Sequence, residues 1–121
     1  FICKSMVNGK EVVQLYKGSG DASKTDSPTL LSTQPLSAGN LKLYLKIEAK
    51  VGAYDFYFSE NGNQWKLLED NVDGKFLSTK VAKGFVGSVY AMYATSNGEK
   101  VNGSQAGFEW FECKSNDDVY K

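Results

Sequence analysis

The 121-residue chain predicts an all-β protein, an antiparallel sandwich of two packed sheets, on three observations. Apolar and polar residues alternate with period 2 over much of its length, and no window sustains a helical stripe. Asn-Gly and other Gly-containing turns punctuate the alternation at short intervals. Eight or nine short strands arranged in this way must bury their apolar faces against each other, which yields two sheets.

The elements follow in order. Phe1 to Val7 and Lys10 to Lys17 flank Asn8-Gly9, a dipeptide suited to a tight hairpin because both central residues need positive φ. Gly18 to Pro28 is rich in Gly, Ser, Asp and Thr and reads as a loop. Leu41 to Glu48 places Leu41, Leu43, Leu45 and Ile47 on one face and Lys42, Tyr44, Lys46 and Glu48 on the other. The first face is expected to meet the core and the second water or a ligand. Tyr54 to Ser59 groups Tyr54, Phe56 and Phe58, then turns at Asn61-Gly62 into a strand from Gln64 to Glu69. Further strands are expected at Phe76 to Thr79, Phe85 to Thr95 and Gln105 to Cys113. In the last of these Phe108 and Trp110 share a side, which reads as core. Residues 1–113 form one sandwich module on this reading, and 114–121, with Asn116-Asp117-Asp118, a polar tail.

Composition removes several function classes. Fourteen acidic residues balance fourteen basic ones, and every basic residue is Lys, a poor match to nucleic-acid recognition, which favours clustered Arg on a positive face. The chain has no His, which excludes His-based triads and His-ligated zinc. No apolar run reaches the length of a membrane span, and no metal or cofactor motif is present. Asp70-Asn71-Val72-Asp73-Gly74 lacks the spacing and closing Glu of a calcium loop and reads as a turn. Cys3 and Cys113 lie near opposite ends. A bridge between them would be worth about 4.7 kcal/mol in the chain-entropy model; two buried free thiols are the alternative.

No carboxylate pair emerges along any strand. Glu109 and Glu112 are three apart, so alternation sends them to opposite faces, whereas glycoside hydrolysis needs two carboxyl groups roughly 5 to 9.5 Å apart. Asp55 has no carboxylate two residues away on its own strand, and Asp117 and Asp118 fall in the tail. The sixteen aromatic residues offer flat faces for sugar C–H patches, and Trp65, Tyr44, Tyr57 and Tyr90 are the candidates. Asn102-Gly103-Ser104 is a glycosylation sequon.

An ordered set of short motifs narrows the reading. Phe58-Ser59-Glu60-Asn61-Gly62-Asn63-Gln64-Trp65 is followed by Leu77-Ser78, Gly84-Phe85-Val86-Gly87, Met92-Tyr93-Ala94-Thr95 and Ala106-Gly107-Phe108-Glu109-Trp110-Phe111-Glu112. The set resembles the C-terminal concanavalin A-like domain of glycoside hydrolase family 43 β-xylosidases and α-L-arabinofuranosidases, from about Leu41 to Cys113, with a looser likeness before that. Asn61 and Gly107 stand where that family usually has Asp, and Cys113 where an aromatic is common.

The resemblance implies a jelly-roll sandwich without catalytic residues. It would serve an enzyme whose separate five-bladed β-propeller hydrolyses xylose- or arabinose-containing plant polysaccharide. By position, Phe85 is the side chain that would help shape the sugar pocket or the domain interface. The family's sandwich has strands upstream of Phe1, so the resemblance implies an incomplete domain. Its sheet edge would be covered by the rest of the enzyme, a complementing fragment or a second copy in a homo-oligomer. An extracellular or periplasmic bacterial location is expected. An autonomous carbohydrate-binding module and a cell-surface interaction sandwich are the alternatives.

Overall fold

The computed structural model describes residues 1–18, 27–39, 42–50, 52–74, 91–94 and 106–114. The chain forms two compact units, Phe1–Ser88 and Val89–Lys121. Among the described residues the first unit holds six strands and no α-helix: β1 Ile2–Val7, β2 Lys10–Lys17, β3 Thr29–Pro35, β4 Tyr44–Lys50, β5 Ala53–Ser59 and β6 Lys66–Asp73. They pair into two antiparallel three-stranded sheets, β1-β2-β3 and β4-β5-β6. The predicted all-β, two-sheet architecture is thus present.

Local chemistry explains the elements. Asn8 and Gly9 take φ of 52° and 76°, the twist a two-residue hairpin requires, and Val7 pairs with Lys10 across it. In β2, Val13 and Leu15 point inward and are 0% and 1% exposed. From the other sheet Phe56, Phe58 and Leu68 meet them, and Ile2, Leu36, Leu43, Ile47, Tyr54 and Val72 pack around this cluster. One core therefore joins both sheets, each fully buried large side chain contributing about 1.5–3 kcal/mol. The Ser32 hydroxyl donates to the Leu68 carbonyl at 3.0 Å, tying β3 to β6.

Several expectations are corrected. Strand β3 was not foreseen; it lies in an edge position, and Pro35 closes it, where a missing N–H costs no ladder bond. Leu45, expected inside, is 40% exposed, because β4 is an edge strand with a neighbour on one side only. The segment Asp70 to Asp73 continues β6 instead of turning. Two residues of β6, Asp70 and Asn71, oppose the single Asp55 between the Tyr54–Val72 and Phe56–Glu69 pairs. Asn71 takes φ 51° there: the turn-like sequence encodes a β-bulge.

In the second unit, residues 91–94 and 106–114 carry no strand. Phe108 and Trp110, expected as core, are 53% and 60% exposed; the described part of this unit holds no paired strand against which their shared side could be buried. The loop residues 19–26, Leu41, the strand at Phe76 to Thr79, the sequon and the tail beyond Lys114 lie outside the described residues. Among the described residues no helix is long and apolar enough to cross a membrane.

Candidate functional site

Alternation in β5 puts Phe56 and Phe58 in the core and sends Asp55, Tyr57 and Ser59 to the opposite face. Register then decides their company. Tyr44 lies across from Ser59, Lys46 across from Tyr57 and Glu48 across from Asp55. The Lys46 ammonium sits 4.5 Å from the Tyr57 ring centroid and 4.8 Å from that of Trp65, within cation–π range of both. Its third partner is Glu48 Oε1, at 3.2 Å. Tyr44 meets Trp65 edge to face, with centroids 6.5 Å apart. Three of the five predicted aromatic or interface candidates, Tyr44, Tyr57 and Trp65, thus converge on one outer face. Phe85 and Tyr90 lie outside the described residues.

The turn that delivers Trp65 is built from side-chain oxygens. The buried Ser59 hydroxyl accepts the Asn61 and Gly62 N–H groups at 3.3 and 2.9 Å and donates to Asn61 Oδ1 at 3.1 Å. Asn61 Oδ1 in turn accepts the Asn63 and Gln64 N–H groups at 2.9 and 2.8 Å. The amide oxygen does here what a carboxylate oxygen could do, so Asn suffices where Asp is usual. Glu60 fixes the turn to the β3–β4 connection: Oε1 accepts the Ser37 N–H at 2.6 Å and Oε2 the Ser37 hydroxyl at 3.2 Å. Gly62, at φ 79°, lies under the Tyr44 ring, where a Cβ would come within 3.1 Å. Any larger residue there displaces the tyrosine.

Strand-by-strand reading missed one carboxylate neighbour: Glu48 and Asp55 are cross-strand partners on the same face. Each is ion-paired to a lysine of β4. Lys46 holds Glu48, and Lys50 Nζ lies 2.5 Å from Asp55 Oδ2 while the Asn71 N–H donates to Oδ1 at 2.9 Å. Asp55 is only 2% exposed, covered by these partners more than by depth. The Lys50 hydrogen bond, then that of Asn71, holds its carboxyl below the ordinary value, against a smaller opposing effect of desolvation. A general acid needs the reverse shift.

Of the two cysteines, Cys3 is half-buried, while Cys113, expected to be buried on the free-thiol reading, is exposed. Burial pushes the Cys3 thiol up from its ordinary range, which leaves it protonated and unreactive at neutral pH. Among the described residues no group of three or more Cys, Asp or Glu side chains could hold a metal ion.

A family model, the β-xylosidase C-terminal concanavalin A-like domain, matches residues 1–114. The match extends the likeness back from Leu41 to the first residue. No curated protein and no solved structure matches significantly. The two-sheet all-β architecture is consistent with that match, and on the match over residues 1–114 the chain belongs to the family of β-xylosidase C-terminal concanavalin A-like domains.

Proposed function

We propose that the chain is the non-catalytic accessory module of a glycoside hydrolase acting on xylose- or arabinose-containing plant polysaccharide. Its partner is the enzyme's β-propeller catalytic domain, which it stabilises and whose sugar pocket it helps complete, with Phe85 the side chain assigned to that contact by its motif position. The observation that carries this reading is the family match over residues 1–114. The Asp55 carboxyl supports it from the chemical side, since its bonds to Lys50 and Asn71 hold it as a carboxylate and not as a proton donor. An extracellular or periplasmic setting, where such polymers are met, belongs to the same proposal.

The test uses a small aryl xyloside and an aryl arabinofuranoside, substrates too short to report on polymer binding. The chain alone should turn over neither. The catalytic domain encoded with it should lose activity or thermal stability when this module is removed. Turnover by the chain alone that disappears in Glu48→Gln or Asp55→Asn would overturn the reading, as would a catalytic domain indifferent to the module.

A further inference from the structure

The outer faces of the two sheets differ in chemistry. That of β1-β2-β3 holds a shallow groove in which Val7, Val12, Leu30 and Pro35 alternate with polar neighbours such as Lys10 and Gln14. That of β4-β5-β6 carries Tyr44, Tyr57 and Trp65 around an ion pair, Lys46 with Glu48, whose side chains are 35% and 48% exposed. A protein partner covering the second face would have to strip water from both charges. Buried ion pairs seldom repay that cost, and the cores of protein interfaces are depleted in charge. A sugar hydroxyl imposes no such demand, because it donates to a carboxylate and accepts from an ammonium.

We propose that this face, centred on Lys46, Glu48, Tyr57 and Trp65, is a surface-binding site for a neutral polysaccharide chain. Adjacent hydroxyls of one sugar unit bridge the ion pair, one donating to Glu48 and its neighbour accepting from Lys46. Hydroxyls carry the contact, because Lys46 already covers the ring faces that Tyr57 and Trp65 turn toward it; the two rings hold the ammonium in place, with Tyr44 bracing the Trp65 ring from its edge. The requirement for both charges at once selects uncharged polymer. A uronate gains at Lys46 what it loses at Glu48, which stands 3.2 Å away. The identity of the polymer as a pentosan rests on the glycoside hydrolase reading above; the chemistry of the face itself does not.

Native affinity electrophoresis of the full chain tests the site, in gels containing neutral arabinoxylan or polygalacturonate. The chain should be retarded by arabinoxylan and not by polygalacturonate. Lys46→Met and Trp65→Ala should each weaken retardation at least tenfold, and Val12→Ser, on the other sheet, should leave it unchanged. Lys46→Met retains the aliphatic stem, so it keeps the test decisive should Trp65→Ala fail to fold. Equal migration in both gels, stronger retardation by polygalacturonate, or a folded Lys46→Met that binds as tightly as the parent would each overturn the proposal. None of these results touches activity on small aryl glycosides, so this site can fail while the accessory-module reading stands.

Discussion

The two sheets share one core but are finished differently on the outside. β1-β2-β3 is held by its backbone ladder, the inward Val13 and Leu15, a Lys4–Glu11 ion pair and the stacked Phe1 and Tyr16 rings, and its outer surface carries only a shallow groove. β4-β5-β6 adds a second layer of order: a turn whose N–H groups bond to Ser59 and Asn61, a bulge secured by Asp55, and a lysine fixed between two rings. The contrast shows that burial explains why both sheets exist, whereas side-chain hydrogen bonding explains why one of them presents a defined chemical surface.

The strongest way to break the contrast is to remove what the sheets have in common. Phe58→Ala should cost about 3–5 kcal/mol, since Phe58 is 3% exposed in the shared cluster, and both sheets should melt together in a denaturant titration. Trp110→Ala sets the scale from outside: at 60% exposure it should change stability by no more than about 0.5 kcal/mol. A loss approaching that of Phe58→Ala would restore the buried placement that its alternation with Phe108 suggests.

A change confined to one sheet sharpens the comparison. Asn61→Ala removes the acceptor of two turn N–H groups and should cost about 0.5–2 kcal/mol, by analogy with loss of a capping side chain. Asn61→Asp should restore most of it. The pair of variants is read by thermal unfolding, together with quenching of Trp65 fluorescence as the turn loosens.

The smallest expected effect is a matter of pH. Because the Asp55 carboxyl is held below its ordinary value of 3.8, its stabilising contribution is complete above that pH and is lost as the pH falls through the lowered folded-state value. Lys50 is raised above 10.5, chiefly by its hydrogen bond to Asp55, so its contribution holds below 10.5 and fades only as the pH rises through the raised value. The pair should therefore give a plateau across neutral pH with a limb at each end. Asp55→Asn should flatten the acid limb of the melting temperature against pH. An unchanged limb would show that the bulge bond to Asn71 needs no charge.

Much of this was legible in advance, and the omissions have physical causes. Asn8-Gly9 and the Tyr54 to Ser59 strand declare themselves through turn chemistry and aromatic alternation. β3 does not, because its Thr-Leu-Leu-Ser-Thr-Gln-Pro sequence has little alternation and an edge strand needs little. Asp70 to Gly74 looked like a turn because a bulge and a turn ask the same left-handed geometry of Asn71. At the site, Tyr44, Tyr57 and Trp65 could be named singly, and Lys46 and Glu48 could be placed on the solvent side of β4. Their assembly depended on cross-strand register, which pairs Lys46 with Tyr57 and Glu48 with Asp55 and is not written in either strand alone.

Both described sheets are meanders, each strand bonded to the next in sequence. Hairpins of this kind close over short spans of chain, so the entropy lost before the first contacts form is small. Each sheet can therefore zip up by itself, and among the described residues the main long-range event left is the meeting of Val13 and Leu15 with Phe56, Phe58 and Leu68, which also brings Ser32 to Leu68. Refolding of this region should be quick for a β protein, with the rate set by that docking step: shortening the Phe56 side chain slows it, while changes on the outer faces alter only how fast the sandwich comes apart.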